Sequence, residues 1–462
     1  MQDLEGLFEP VFITDEMAPI TSARNLVQKM VEFECALAQA QAEVGLIPVK
    51  AAKEISGLIS THGIDPTELG VKARSGGTPV IPLVQILTDK LSVSARPWIH
   101  YGATSQDVLD TATMMIIREA IKLIYADLLQ VGASLASLAQ QHRRTPMVAR
   151  TLMQHALPTT FGLKVANWLD GVVSASVSLE RFFAEGLSVQ FGGAAGTLAA
   201  LGDSGIEVGT RVASILGLSL PIMPWHAQRV RIAELGASLS LTVGALAKIS
   251  TDIILASQAE IGELSQVQDY GGGSSAMPQK VNPVGPIVVN ACFRRMQGLL
   301  PVLYGCLLAE NERGAGEWQA EWQTLRDLLL VTGVSVQRTS ATLSNLVVDK
   351  NKMLQNLELS RGNVMSERIL LMLSEVLGRS TAHDLVREAT VRTIRNASTL
   401  KEELMKESVF RERFSPEDTL KAFDPLTYLG SAQVFIDNAL AEWRNSESNW
   451  QRIVDGTSNK QG

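Results

Sequence analysis

Cysteine is scarce. Cys35, Cys292 and Cys306 are the only three in 462 residues, and their odd number and wide spacing argue against a disulfide framework or a thiolate metal cage. Each is expected to be a small core residue in a reducing compartment. Aromatic residues make up only 5% of a chain that is 46% hydrophobic, so the core must be built from aliphatic side chains. The six histidines, His62, His100, His142, His155, His226 and His383, are too dispersed for metal-ligand spacing. No Gly-x-Gly-x-x-Gly follows a strand-like run, so neither a metal nor a dinucleotide or other cofactor is expected. Basic runs are missing as well, and 41 Lys and Arg against 48 Asp and Glu leave a net charge of −7. That balance argues against a nucleic-acid partner. The opening Met1-Gln2-Asp3-Leu4-Glu5 is acidic where a leader would be basic. No apolar run is read as long enough to cross a bilayer, so the expectation is a cytoplasmic protein without a membrane partner.

Helical periodicity is what the chain does have. Ile117, Ile121, Ile124, Leu128, Val131, Leu135 and Leu138 step by fours and threes, as do Leu235, Leu239, Thr242, Leu246, Ile249 and Ile253. Both runs are seams of long packed helices, each spanning about 30–40 Å. Period-two alternation is rare, which gives an all-α fold with at most small hairpins. The expected organisation is an N-terminal helical domain over 1–110, a central long-helix bundle over 111–350 and a C-terminal helical domain over 351–462. The tail from Asn449 is expected to fray. Gln190–Thr197, with three glycines, reads as a tight turn between helices.

Residues 271–283 read Gly-Gly-Gly-Ser-Ser-Ala-Met-Pro-Gln-Lys-Val-Asn-Pro. Three consecutive glycines are costly to order, which suits a segment that moves. Asn282 as N-cap and Pro283 as first helical residue would set a helix N-terminus behind Ser274 and Lys280. Free backbone N–H groups beside an ammonium favour an anion, here a carboxylate next to a hydroxyl able to exchange a proton. Glycine, serine and lysine alone describe many surface loops equally well.

Two further polar clusters lie near the ends of long helices. In His100-Tyr101-Gly102-Ala103-Thr104-Ser105-Gln106-Asp107, the residues His100, Thr104, Ser105 and Gln106 supply donors and acceptors for a small polyanion. Helix capping by Thr104 or Ser105, with Asp107 in the first turn, explains the same residues. In Arg150–Gly162, Thr151, Gln154 and His155 are candidates, although a hydrogen-bonded core histidine suits His155 as well.

Gly273-Ser274-Ser275-Ala276-Met277-Pro278-Gln279-Lys280-Val281-Asn282 resembles the signature loop of the fumarase/aspartase superfamily. His100–Asp107 and Arg150–Gly162 resemble the other two motif regions, in the same order. Further segments are similar to the bacterial 3-carboxy-cis,cis-muconate cycloisomerase family: Ser22-Ala23-Arg24, Val44-Gly45-Leu46-Ile47-Pro48, Gln190–Thr197, Pro224-Trp225-His226-Ala227-Gln228-Arg229, Trp318-Gln319-Ala320-Glu321-Trp322 and Tyr428-Leu429-Gly430. The resemblance implies a three-domain helical subunit packed into a homotetramer, with each active site shared by three subunits. It implies Ser274 as the proton-transfer group and Lys280 and Asn282 as carboxylate holders. His100 and His155 are the further catalytic candidates. Arg24, Thr104, Ser105, Gln106, Thr151, Gln154, Ser275, Met277 and Arg313 complete the expected site for a small di- or tricarboxylate.

The chain also departs from that pattern. Leu152 stands where most of the superfamily has a histidine, and Ile287 where its glutamate partner belongs. A hydroxide or amine leaving group needs a proton at departure, whereas a carboxylate, whose acid has a pKa near about 4, leaves unaided at neutral pH. Cycloisomerisation by carboxylate addition to an alkene, with Ser274 supplying the proton, fits that loss. Gln279, Val281, Asn311 and Gln319 replace cationic or proton-bearing residues of the cycloisomerase pattern. Arg24, Arg229, Arg231 and Arg313 remain candidates for carboxylate pairing or for interdomain salt bridges. The alternatives are a fumarate-releasing eliminase, such as a C–N lyase or one expelling nitrite, and a non-catalytic crystallin-like scaffold.

Overall fold

The computed structural model describes residues 6–60, 63–267, 273, 277 and 280–456. Ser22 opens the first long helix, α1 (Ala23–Glu43), by accepting from Asn25 N. Thr104 in extended conformation opens the longest, α2 (Ser105–Gln141). The central bundle adds α3 (Phe161–Arg181), α4 (Val230–Ala256), α5 (Val284–Gly305) and α6 (Glu317–Ser344). Both periodic runs do what their spacing required. Ile117, Ile121, Ile124, Leu128, Val131 and Leu135 are wholly buried on α2, and Leu235, Leu239, Leu246, Ile249 and Ile253 of α4 belong to the same continuous core. Among the described residues the fold is all-α apart from two small antiparallel strand pairs. One is β1 (Pro146–Thr151) with β2 (Gln154–Thr160), and the other is β3 (Leu264–Gln266) with β4 (Leu346–Val348).

Helix α2 runs unbroken across residue 110. Its first turns (Val108, Leu109, Ala112, Met115) belong to an N-terminal core with α1 and residues 189–216, and its remainder belongs to the bundle. After α7 (Lys350–Glu358), capped by Asp349, a third core forms around Ile369, Leu373, Leu404 and Phe410. The chain then returns to the bundle. In α8 (Ala432–Asp455), Ile436, Trp443 and Trp450 pack into the central core, Trp450 against Tyr125. The expected fraying from Asn449 therefore does not occur before residue 455, because burial of Trp450 holds the last turns in place. Two helices, α2 and α4, are long and apolar enough by length and composition to cross a bilayer, which corrects the expectation that no run reaches that length. Part of each apolar window, 39% in α2 and 44% in α4, is buried inside the chain. The three cysteines are buried and unpaired.

Candidate active site

The 100–107 segment is held by the N-terminal core. His100 adopts a left-handed φ of 57°, a conformation that costs a non-glycine residue about 1–3 kcal/mol and persists where surroundings impose it. Here Glu34, itself buried, imposes it. One carboxylate oxygen accepts from His100 N at 3.1 Å, and the other lies 2.6 Å from His100 Nδ1. Burial pulls the imidazole towards neutrality, but the charge and hydrogen bond of Glu34, with the charge of Asp107, outweigh it and raise His100 above its ordinary pKa. A protonated ring leaves Nε2–H as a donor.

Four residues on, Thr104 caps α2 and its Oγ1 accepts from Arg313 Nη1 at 2.9 Å. Arg313 also donates to the carbonyls of Ala194 and Gly193, at 3.1 and 3.3 Å. Ser105 is partly exposed beside them. Gln106 is turned inward instead. It is fully buried, and Nε2 donates to His226 O and Asp110 Oδ2, so it braces the site from beneath rather than facing a ligand.

The second motif forms the β1–β2 hairpin, with Arg150 opposite His155 and Thr151 opposite Gln154. Its two turn residues, Leu152 and Met153, both have positive φ, 48° and 66°. That is the backbone of a primed two-residue turn, which normally selects Asn-Gly. Leu152 is 96% exposed and Met153 72%. Residues paired across an antiparallel ladder share a face, so the hairpin separates its candidates. Thr151 and Gln154 flank the apolar tip. His155 shares its face with Arg150 and lines a cavity of about 580 Å³ with Arg361, Asn363, Ser366 and Thr393. Burial first, then the charge of Arg150, lowers the His155 pKa. Arg150 makes a two-pronged ion pair with the buried Glu263, at 2.7 and 3.0 Å, and Asn356 Nδ2 donates to the same carboxylate at 2.8 Å. The hairpin rim is thus anchored beside β3, which leads into the glycine-rich segment.

Ser274 and Ser275 lie outside the described residues. Lys280 and Met277 are exposed, with Lys280 N donating to Met277 O at 3.0 Å, and Gly273 bridges Val281. The helix behind them starts one residue later than the sequence suggested. Pro283, not Asn282, occupies the cap of α5, and Val284 N bonds back to Asn282 O at 2.9 Å. Ile287 lies in the first turn of that helix and is 47% exposed. Arg24 is exposed in the first turn of α1.

Two of the candidate arginines are structural. Arg229 is buried between Asp110 and Glu321, and Arg231 stacks on Trp225 and donates to Gly186 O. Sequence reasoning missed Asp107, Glu34, Glu263 and His226. Each is a buried polar residue distant in sequence from its partner, and the only signal was a polar residue inside an otherwise apolar motif string. Among the described residues, no three His, Cys, Asp or Glu side chains converge as metal ligands.

A long-helix bundle whose N-terminal helix starts, hairpin and glycine-rich loop carry anion donors defines a class. Residues 12–298 match the family described as Lyase, and residues 362–439 that described as Adenylosuccinate lyase C-terminus. The chain belongs to this lyase family. It is 40% identical, over 95% of its length and 98% of the relative's, to the 3-carboxy-cis,cis-muconate cycloisomerase of Bradyrhizobium diazoefficiens. It is 37% identical to the nitrosuccinate lyase of Streptomyces davaonensis, over 94% of each chain. Its fold matches the crystal structure of the 3-carboxy-cis,cis-muconate lactonizing enzyme from Pseudomonas putida with a TM-score of 0.89 at 36% identity, covering 95% of this chain and 99% of that one.

Proposed function

We propose that this chain is a cofactor-free cycloisomerase acting on 3-carboxy-cis,cis-muconate, working as a cytoplasmic homotetramer whose active sites each draw on three subunits. In the reaction a substrate carboxylate oxygen forms a C–O bond to the conjugated alkene. The displaced π electrons move onto the neighbouring carboxylate as an aci-carboxylate, and Ser274 delivers the proton to the carbon between them. His100, Thr104 and Arg313 offer donors for one carboxylate, Thr151 and Gln154 for another, and Lys280 with Asn282 for the third. Dense donors of this kind stabilise the extra oxygen charge of the intermediate.

The observation that carries the reading is the hairpin tip. Leu152 is 96% exposed and stands where the resemblance to the superfamily implies an acid, and lactonisation needs no acid for a leaving group. A domain-like division into an N-terminal unit, a bundle and a C-terminal unit, near residues 110 and 350, is part of the same proposal. Nitrite, too, leaves unaided, and the 37% identity to a nitrosuccinate lyase makes fumarate release from nitrosuccinate the second reading. Incubation with 3-carboxy-cis,cis-muconate should remove its ultraviolet absorbance, and Ser274→Ala should abolish that loss with the oligomer intact. Fumarate release from nitrosuccinate without muconate turnover would overturn the first reading in favour of the second.

A further inference from the structure

Thr104 and Arg313 are aimed by a carboxylate buried beneath them. Asp107 is fully buried and accepts four hydrogen bonds. Oδ2 takes Thr104 N at 3.0 Å and Gly193 N at 2.9 Å, while Oδ1 takes Gly192 N at 3.0 Å and His226 Nε2 at 2.7 Å. A carboxylate only accepts, so the ring hydrogen sits on Nε2. The two glycines leave no slack. Gly193 has φ +66° and a Cβ there would lie 2.9 Å from Gly102 O, while one on Gly192 would lie 2.8 Å from His226 Cε1. The turn at 192–193 is therefore wedged between the 100–104 segment and the imidazole. Arg313 reads its position from that turn, through Gly193 O and Ala194 O, and from Thr104 Oγ1.

The imidazole is itself fixed from below. Gln106 Nε2 donates to His226 O at 3.0 Å, and three residues along, Arg229 is locked between Asp110 and Glu321. Trp225 N donates to Gln190 Oε1 at 2.9 Å and its indole N–H to Val189 O at 2.9 Å, tying the same segment to the strand of chain before the glycines.

We infer that His226 is a positioning residue for substrate: by donating to Asp107 it sets the spacing between the start of α2 and the 192–193 turn, and so the aim of Thr104 and Arg313. The inference deepens the function proposed above and rests on its reading of that face as a carboxylate site. His226 contributes no proton to the reaction, and its only requirement is an N–H in the right place.

A donor-for-donor replacement tests this. His226→Gln carries an amide N–H close to Nε2, whereas His226→Leu fills similar space without one. His226→Leu should lose on the order of 100-fold in kcat/KM, the scale of an ångström-level misplacement of binding groups, and His226→Gln should recover to within about fivefold of wild type. In an Arg313→Gln background the His226→Leu loss should shrink below about threefold, because both changes then remove the same interaction. Should His226→Leu not assemble, Asp107→Asn, which turns one acceptor edge into a donor, takes its place with the same expected loss. The assay uses 3-carboxy-cis,cis-muconate, or nitrosuccinate if that is what the wild type consumes. Equal losses in the Leu and Gln variants, wild-type activity in His226→Leu, or fully additive losses with Arg313→Gln would overturn the positioning role. An Arg313→Gln variant with unchanged turnover would instead overturn the carboxylate reading of this face.

Discussion

Replacing Arg229 by methionine should destabilise the protein in a way that depends on pH. Its guanidinium is 2% exposed and satisfies two carboxylates at once. Nη1 donates to Asp110 at 2.7 Å and Nε to Glu321 at 2.9 Å, with a further close contact from Nη2 to Glu321. Asp110 also accepts from the indole of Trp318 at 2.9 Å, so the cluster ties α2, α4 and α6 together. Removing one partner of a buried ion pair typically costs about 3–5 kcal/mol, and here it leaves two carboxylates facing each other.

The pH dependence has a definite sign. Burial already holds Glu321 above its ordinary pKa, with Arg229 opposing and Asp110 adding to the rise. Without Arg229 only the two raising causes remain. A carboxyl whose folded pKa exceeds its unfolded one stabilises the fold below the unfolded value, and that contribution is lost as pH rises through the folded pKa. The deficit of Arg229→Met should therefore be largest near pH 8 and shrink towards pH 5, as one shared proton bridges Asp110 and Glu321. Urea midpoints of wild type and variant at pH 5, 6, 7 and 8 measure this. A deficit that stays flat across that range, or falls below about 1 kcal/mol at pH 8, would refute the electrostatic account.

Glu34→Gln removes the charge that opposes burial at His100, so the imidazole should titrate at lower pH. If the protonated ring grips substrate, the alkaline limb of the kcat/KM profile moves down with it. An unchanged histidine titration by NMR would show that Glu34 does not set it. Replacing the hairpin tip by Leu152→Asn with Met153→Gly relieves two left-handed non-glycine residues and should stabilise the fold by roughly 1 kcal/mol, while turnover falls if the apolar tip covers substrate. A higher Tm with unaltered turnover would remove the tip from the active site.

The bundle was legible because its seams are. Ile117 to Leu135 and Leu235 to Ile253 repeat at helical spacing for many turns, and nothing in the tertiary structure contradicts them. The hairpin was less so, because its turn uses Leu152 and Met153 where a primed turn advertises itself with Asn-Gly. The cap of α5 was misplaced by one residue because Asn282 and Pro283 both suit a helix start and only backbone geometry chooses between them. At the site, half-buried donors such as Thr104 and Arg313 could be named from motif chemistry. Asp107 with His226 and Arg150 with Glu263 could not, since each pair is more than a hundred residues apart and no local spacing links its members. Gln106 shows the converse error: a polar residue inside a polar motif that the fold consumes internally.

The return of α8 to the bundle sets a timetable for synthesis. Trp443 fills the space over Gly132, where even a Cβ would meet its ring at 2.0 Å. Trp450 is wholly buried against Tyr125 and donates to Glu180 at 2.7 Å. A nascent chain that has completed α2 and α3 must hold this apolar groove open until residues 432–455 emerge, which at about 5–20 residues per second is roughly a quarter of a minute to a minute. During that interval the groove is a natural place for a chaperone, and a ribosome that stalls before residue 443 releases a chain whose largest core cannot close.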